Sequence, residues 1–364
     1  MATPLQTLFG EWPEESLQIV DYKSLNKCEV VGYNTYTPQM PKWDYWQLNK
    51  LSSQGAYGRV YLAFHNDLGV IAAKVLRIEK FDEKEWDAAG ALNKPEFQCP
   101  FVVKYLFAKQ FENDVVILMS YANAKSLDVI VKNQYQFISI PTFRALAKQL
   151  LEGLRIIHSA KLIHRDIKSE NIMLHAQRGN VKAKIADFGL AKINQENQLK
   201  ITSCGTPLNM APELVNHSFY SDNKVDIWSL GVVFFQLLTH EYPIQAGGFP
   251  ELQNKMAWLK RINRHASIKD DILWDLLSKM LNFDPKQRYS AEQALQHPFF
   301  TSQQASSEIS QQALQIAQSA TNAQQRGETW ITIYDTNPTF IVPSPEIKVF
   351  LNFDPEAEEL KILR

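Results

Sequence analysis

Cysteine is scarce in this sequence. Its 364 residues include three cysteines, Cys28, Cys99 and Cys204, and such an odd, sparse set without regular spacing argues against a disulfide framework and against a zinc site. A long apolar run is also missing, because the most apolar stretch, residues 230–239, is too short to span a bilayer. The N-terminus lacks the basic region and the apolar run of a signal peptide. We therefore expect a protein of the reducing cytoplasm that does not insert into a membrane.

Neither sign of charge is in excess. The 38 lysines and arginines balance 39 aspartates and glutamates, which gives a formal net charge of −1. This balance offers no global field for nucleic acid or for an anionic membrane, so no nucleic-acid partner is expected. Apolar residues make up 45% of the chain, which is ordinary for a globular protein with a sizeable core.

The order of strand and helix signals suggests two lobes. The strand candidates are the apolar runs 60–63, 70–76, 102–105 and 115–119, and the helix candidates are 81–92, 142–159, 226–238 and 272–281. The first two strands flank Asn66-Asp67-Leu68-Gly69, which is typical of a hairpin. A strand-rich first third followed by a helix-rich remainder indicates an α+β protein with two lobes.

The two ends of the chain differ from this central part. Residues 1–44 have few helix signals and form an N-terminal extension. Residues 302–328 are rich in Gln, Ser and Ala, which suits a linker, but their apolar residues fall on one helical face and Gly327 stands where a helix would end, so we favour a weak helix. The C-terminal tail, 329–364, contains a strand-like part, 329–353, that could fold back on the domain.

One segment carries most of the chemistry. Residues 164–171 read HRDIKSEN, which resembles the catalytic loop of protein kinases. Phosphoryl transfer depends on positioning and charge neutralisation. The resemblance implies that Asp166 orients the attacking hydroxyl and accepts its proton, that Lys168 stabilises the charge of the transferring phosphoryl group, and that Asn171 offers an oxygen to magnesium.

A second motif suits a metal. Sixteen residues after Asn171, Asp187 opens the tripeptide Asp-Phe-Gly behind the apolar run 181–185. This order and spacing resemble the kinase magnesium loop. Since Mg2+ prefers oxygen ligands and is commonly held by one or two carboxylates plus substrate phosphates, Asp187 is expected to ligate it.

The strand-rich part contains a loop and a lysine suited to ATP. Residues 53–60 read SQGAYGRV, which resembles the kinase glycine-rich loop, with Gly55 and Gly58 present and Ser53 in place of the first glycine. Glycines let backbone amides approach phosphates closely. Fourteen residues beyond Val60 lies Lys74, in an apolar strand where a lysine is costly to bury unless paired.

The resemblance implies the remaining nucleotide contacts. Lys74 would contact the α- and β-phosphates and pair with a glutamate of the following helix, for which Glu85 is preferred and Glu83 is the rival. Met119 would be the gatekeeper between the lobes. The residues expected to contact the adenine are Ser120 and Ala122, through their backbone groups, and Val60, Ala72 and Met173, around the base.

Residues 202–213 resemble the end of a kinase activation segment. Glu213 is expected to pair with Arg288, and Asp226 to brace the catalytic loop, whereas Asn209 stands where the family commonly has tyrosine. Arg165 would bind a phosphate placed on Thr202, or on Ser203 as the second candidate, because arginine pairs with phosphate in a fork.

The resemblance covers residues 45–301 and implies the two-lobed protein kinase fold, with an N-lobe at 45–121 and a C-lobe at 122–301. Lys168 together with Gly205-Thr206 favours a serine/threonine kinase that uses ATP and Mg2+ on a protein substrate. The alternatives are a pseudokinase scaffold that only binds nucleotide, and an adaptor whose extensions bind a regulatory partner. Residues 350–354 resemble a hydrophobic tail that docks on the N-lobe of some kinases; a short strand or a partner-binding tail is the other interpretation.

Overall fold

The computed structural model describes residues 17–18, 59–65, 69–81, 83–111, 114–188, 192–193, 207–216 and 222–362. Their strands are β1 (Leu17–Gln18), β2 (Arg59–His65), β3 (Gly69–Arg77), β4 (Tyr105–Phe111), β5 (Asp114–Ser120), β6 (Leu162–Ile163), β7 (Ile172–Gln177), β8 (Asn180–Ile185) and β9 (Lys192–Ile193). Their helices are α1 (Glu83–Leu92), α2 (Asp128–Val131), α3 (Ile140–Ser159), α4 (Pro212–Val215), α5 (Lys224–Thr239), α6 (Phe249–Trp258), α7 (Asp271–Met280), α8 (Ala291–Leu295), α9 (Pro298–Thr301), α10 (Gln303–Ser307), α11 (Gln311–Gln325), α12 (Ser344–Lys348) and α13 (Pro355–Ile362). An antiparallel sheet with one helix precedes a mainly helical part, so the expected two-lobed α+β fold is confirmed.

The N-terminal lobe is one antiparallel sheet with the strand order β1-β2-β3-β5-β4. The predicted hairpin is present, because β2 and β3 pair from Arg59↔Val75 to His65↔Gly69. Residues 71–76 of β3 are all buried, and they include the charged Lys74 within an otherwise apolar run.

The strand expected at 102–105 is wrong in its position, since β4 begins at Tyr105. Val102 instead forms an isolated bridge with Ile185, and the backbone N–H of Val103 donates to the Ile185 carbonyl at 2.9 Å. These residues therefore pair with β8 of the other lobe and form a contact between the two lobes.

Two long helices form the centre of the C-terminal lobe. In α3, the Ser139 side chain caps the N-terminus by accepting a hydrogen bond from the Thr142 N–H, which replaces one bond that the first helical turn cannot make. Every residue of α5 after Lys224 is buried, as expected for a helix that is apolar on all sides and central in the protein.

The C-terminal extension contains the predicted helix. Ala313, Ala317 and Ala320 of α11 are buried, on the face that the sequence indicates. Gly327 follows the C-cap with φ of +85°, the left-handed conformation in which glycine commonly ends a helix.

The strands expected within 329–353 are wrong. The described structure there has a 3-10 helix, Pro338–Phe340, an isolated antiparallel bridge between Pro343 and Asn180, and α12. Prolines 338, 343 and 345 explain the difference, because proline has no N–H to contribute to a strand ladder. The segment does fold back on the domain: the N–H of Val181 donates to the Val342 carbonyl at 2.8 Å.

Residues 350–354 also form no strand. They link α12 to α13, with Phe350 buried in the main core and the Phe353 ring 5.4 Å from the Lys125 ammonium. Among the described helices, none has the length and apolar character needed to cross a membrane.

Candidate active site

Asp166 lies in the loop between β6 and β7, where its side chain and its carbonyl accept hydrogen bonds. Its Oδ2 atom accepts hydrogen bonds from Lys168 Nζ at 2.8 Å and from Asn171 Nδ2 at 2.9 Å, and its carbonyl also accepts from Asn171 Nδ2. The side chain of Asp166 is 8% exposed and that of Lys168 is 23% exposed. The structure thus brings together the three residues that the sequence assigned to one catalytic loop, with the carboxylate fixed in orientation by its neighbours.

A buried carboxylate in α5 holds this loop. The Oδ atoms of Asp226 accept the backbone N–H groups of His164 at 2.9 Å and of Arg165 at 2.8 Å, and Asp226 also contacts the His158 ring at 2.9 Å. Complete burial acts to raise the pKa of Asp226, but the hydrogen bonds from His158 and from the backbone outweigh it and hold the pKa below its usual value. The bracing role expected for Asp226 is confirmed, whereas no sequence pattern predicts its contact with His158.

Asp187 follows β8 and reaches across to the other lobe. Its Oδ1 atom lies 3.2 Å from Lys74 Nζ in β3. The preceding residue, Ala186, donates its N–H to the Asn171 carbonyl at 2.8 Å and its carbonyl lies 3.0 Å from His164 Nε2. A continuous series of contacts therefore runs from Asp166 through Asn171 and Ala186 to the pair of Asp187 and Lys74.

An aromatic group packs behind Asp187. Phe188 is fully buried, its N–H donates to the Tyr105 hydroxyl at 3.4 Å, and its ring lies 4.9 Å from the His164 ring and 5.9 Å from the Tyr105 ring. Tyr105 was missed by the sequence analysis, where it was only the end of a strand candidate. An aromatic residue at the start of β4 carries no local signal of this contact.

Four of the predicted nucleotide contacts share one face of the N-terminal sheet. Val60 is directly opposite Lys74, and Ala72 is directly opposite Met119. Opposed residues of antiparallel strands project to the same side, and so do residues two apart along one strand. Val60, Ala72, Lys74 and Met119 therefore line one surface next to Asp187.

The link between the lobes begins where β5 ends. The N–H of Ser120 donates to the Lys104 carbonyl at 2.8 Å, which leaves the Ser120 carbonyl as its backbone group for a ligand. Ala122 is 9% exposed. Met173 lies in β7 and forms a bridge with Ser126 beyond this link, on the C-terminal side of the same cleft.

Several predicted site residues lie outside the described residues: Ser53, Gly55, Gly58, Thr202 and Ser203. The backbone of Glu85 belongs to α1, whose Ala88 and Leu92 are buried as expected, but the side chains of Glu83 and Glu85 are not among those described. Their pairing with Lys74 stays a prediction.

The expected anchor of the activation segment is present. Arg288 contacts Glu213 through two parallel hydrogen bonds, from Nη1 to Oε1 at 2.7 Å and from Nη2 to Oε2 at 2.9 Å. Arg288 is 1% exposed and Glu213 8% exposed. A buried guanidinium paired in this way is strongly orienting, so α4 is fixed against the C-terminal lobe.

The side chains expected to hold magnesium are those of Asp187 and Asn171. Within the described residues, no group of three or more His, Cys, Asp or Glu side chains could hold a metal ion. The side chain of Asp187 is 32% exposed, and Asn171 uses its nitrogen on Asp166. One carboxylate and one amide oxygen, completed by phosphates, fit Mg2+.

Comparisons with known proteins agree with this geometry. The family model described as the protein kinase domain matches residues 46–300. The serine/threonine-protein kinase ste20 of Aspergillus oryzae is 34% identical over 272 residues, which are 73% of this chain and 31% of that protein.

Two further relatives come from distant organisms. The serine/threonine-protein kinase pakH of Dictyostelium discoideum is 32% identical over 74% of this chain and 53% of its own length. Serine/threonine-protein kinase 10 of Danio rerio is 31% identical over 76% of this chain and 29% of its own length. The chain therefore matches between about a third and a half of each relative.

Proposed function

Because the chain belongs to the protein kinase family, we propose that it transfers the γ-phosphoryl group of ATP to a serine or threonine hydroxyl of a protein substrate. The observation that supports this most directly is the series of contacts that joins Asp166, Lys168 and Asn171 to Asp187 and Lys74. A nucleotide held at one end of that series and a hydroxyl at the other would face each other across one cleft.

Asp166 is the proposed catalytic base. Its Oδ2 atom is oriented by Lys168 and Asn171, so it can accept a hydrogen bond from the incoming hydroxyl and take its proton as the oxygen attacks phosphorus. Lys168 remains positively charged beside it and would stabilise the negative charge that spreads over the phosphoryl oxygens.

Asp187 and the side-chain oxygen of Asn171 would hold Mg2+. When bound with ATP, the ion supplies positive charge that neutralises phosphate oxygens. Lys74 would add a further positive charge toward the α- and β-phosphates. In the described structure Lys74 contacts Asp187, which places its ammonium group beside the proposed metal ligand.

The sheet face around Val60, Ala72 and Met119 suits a flat apolar base. Backbone groups of Ser120 and Ala122 would provide its hydrogen bonds, and Met173 would close the other side. Ser53, Gly55 and Gly58 are proposed to cover the phosphates with their backbone N–H groups.

We also propose that phosphate on Thr202, or on Ser203, binds Arg165 and orders the segment before α4. Arg165 supports this because it directly precedes Asp166 and its backbone is held by Asp226. Unchanged activity of fully phosphorylated protein after Thr202→Ala would count against Thr202 as the site. The cytoplasmic location and a regulatory partner for residues 1–44 or 302–364 remain predictions.

The test is a transfer assay with labelled ATP, Mg2+ and a generic protein substrate, run beside Asp166→Asn. Loss of the base is expected to lower kcat by roughly 10²–10⁴-fold, while binding of ATP, followed by its effect on the melting temperature, should persist. Label on serine and threonine in the wild type alone supports the proposal. ATP binding without transfer in either protein would indicate a scaffold instead.

A further inference from the structure

A small cavity lies directly beneath the catalytic loop. Its walls come from three parts of the chain: the loop, the segment that leads into α4, and α5. The lining residues are Arg165, Asp166, Ile167, Asn209, Met210, Leu214, Val225 and Ser229. The cavity thus touches Asp166 itself and the residues on both sides of it.

Asn209, one of the residues that line this cavity, has a polar side-chain atom without a hydrogen-bond partner among the described residues. The residue is 4% exposed, and its Nδ2 atom is buried without a hydrogen-bond partner in the part of the chain that the structure describes. Its backbone cannot move away easily, because the Asn209 carbonyl accepts a hydrogen bond from Ser229 Oγ of α5 at 2.8 Å. A buried amide that lacks a partner is costly, so the arrangement indicates that something polar fills the space.

The size of the cavity indicates which polar group fills it. Its volume is about 10 Å³, which is close to the minimum of roughly 10–15 Å³ that one water molecule needs. An organic ligand does not fit. Buried water typically makes about three hydrogen bonds to groups that would otherwise be unsatisfied, and here the backbone carbonyls of the loop and the Ser229 hydroxyl are neighbouring acceptors.

We propose that Asn209 is a positioning residue for the catalytic loop and acts through one buried water molecule. The Asn209 Nδ2–H donates to the water, and the water donates to an oxygen of the 165–167 backbone. This inference rests on the proposed kinase function, because it assigns Asn209 a role in placing Asp166.

The consequence is a second support for Asp166, in addition to the hydrogen bonds from Lys168 and Asn171. Asp226 holds the loop by accepting the N–H groups of His164 and Arg165, and the water holds it by donating to an oxygen of the 165–167 backbone. It also connects the loop to the segment that carries Glu213, so movement of that segment changes the position of the catalytic base.

The experiment compares Asn209→Thr with Asn209→Val in the full chain. Threonine and valine have the same shape, but only threonine keeps a hydrogen-bond donor, so packing effects cancel between them. We expect kcat to fall about tenfold in Asn209→Val, the rate change that matches one ordinary hydrogen bond, and to recover to within about threefold of the wild type in Asn209→Thr. KM for ATP should stay within about twofold in both, since the nucleotide side is untouched.

A crystal structure of the wild-type protein provides the second readout, which does not depend on activity. An internal water within hydrogen-bond distance of Asn209 Nδ2 and of a 165–167 carbonyl supports the inference. Equal kcat in the two variants, or an empty cavity in well-ordered crystals, overturns it while leaving kinase activity intact. If the wild type transfers no phosphate, the proposed function fails. If neither variant folds, the kcat values cannot be compared. In both cases the presence or absence of the internal water in the crystal structure decides whether the inference holds.

Discussion

At the residue scale, two residues of the site have a backbone conformation that their side chains disfavour. Arg165 has φ of +70° and Asp187 has φ of +66°, although neither is glycine. Such conformations cost on the order of 1–3 kcal/mol each and persist only where the surroundings impose them. Here the Asp226 carboxylate accepts the N–H of Arg165. The N–H groups on either side of Asp187 also donate hydrogen bonds, that of Ala186 to the Asn171 carbonyl and that of Phe188 to the Tyr105 hydroxyl. The strained residues are therefore Asp187 itself and the direct neighbour of Asp166, so the strain lies where the orientation of these two carboxylates is set.

His175 permits a prediction about acid stability. Burial, with added repulsion from Lys184 and Lys182, lowers the pKa of this histidine in β7 to about 3, and its Nδ1 atom is buried without a partner among the described residues. In the unfolded chain its pKa is about 6.5. Below that pH the unfolded state binds a proton that the folded state does not. The free energy of unfolding therefore decreases as the pH is lowered, by at most ~1.4 kcal/mol per pH unit.

We therefore expect His175→Gln to reduce the acid sensitivity. Between pH 7 and pH 5, urea unfolding of the wild type should lose about 2 kcal/mol more than that of the variant. Parallel curves for the two proteins would show that the histidine is charged in the folded state.

At the element scale, prediction from the sequence succeeded where the signal is local. The sequence Asn66-Asp67-Leu68-Gly69 separates two apolar runs that pair as β2 and β3, and the periodic apolar residues of 142–159 form most of α3. It failed where a distant partner decides: Val103 bonds to Ile185, more than eighty residues away, so the strand expected at 102–105 is displaced.

The same distinction applies to the site. Asp166, Lys168 and Asn171 were predicted together because the chemistry requires them within one short segment. Tyr105 and His158 were not predicted, because they reach the site only after β4 and α3 have packed against residues far along the chain.

Gly153 is where α3 approaches the segment around Phe101 that pairs with β8. A Cβ atom at this position would lie 2.8 Å from the Phe101 carbonyl oxygen, and that carbonyl already accepts the N–H of Ile185 at 2.9 Å. A backbone atom held by β8 cannot shift freely. Gly153→Ala is therefore expected to destabilise the fold by roughly 1–3 kcal/mol, the usual cost of overpacking, although alanine favours helices.

Equilibrium unfolding in urea measures the effect. The control is Gly247→Ala, where the nearest atom is the flexible end of the Glu251 side chain at 3.4 Å, and a change within about 0.5 kcal/mol is expected. If the change in the free energy of unfolding for Gly153→Ala matches that of the control, or if the variant is more stable than the wild type, the close approach of α3 to the Phe101 carbonyl is wrong.

At the scale of the whole molecule, the C-terminal extension is built into the C-terminal lobe. Val342, Ile347 and Phe350 belong to the main hydrophobic core. Polar contacts accompany them: Lys182 Nζ lies 2.6 Å from Asp335 Oδ1, and Asn123 Nδ2, just past the link between the lobes, donates to Glu359 Oε2 at 2.5 Å. The extension thus contacts the β7–β8 hairpin, and its last helix, α13, contacts Asn123.

Phe340 tests whether the extension and the kinase domain unfold as one unit. Its ring stacks on Phe101 at 5.6 Å and meets Tyr334 edge-on at 5.2 Å, and its carbonyl accepts a hydrogen bond from Gln149 of α3 at 2.6 Å. Removing a buried phenylalanine ring costs about 3–5 kcal/mol. At roughly 2–4 °C per kcal/mol for a chain of this order of size, Phe340→Ala should lower the melting temperature by about 6 °C or more.

The shape of the thermal unfolding transition shows whether the extension shares the core of the domain or unfolds independently. If the extension shares the core, calorimetry of Phe340→Ala will show the main transition itself displaced to lower temperature, because Phe101, whose carbonyl binds β8, loses its packing partner. The matched control is Ile333→Ala on the same segment, whose side chain is 72% exposed and whose loss should leave the transition unmoved. An early minor transition with an unchanged main one would mean that the extension is an independent appendage, and the contacts around Phe101 would then contribute nothing to the stability of the catalytic lobes.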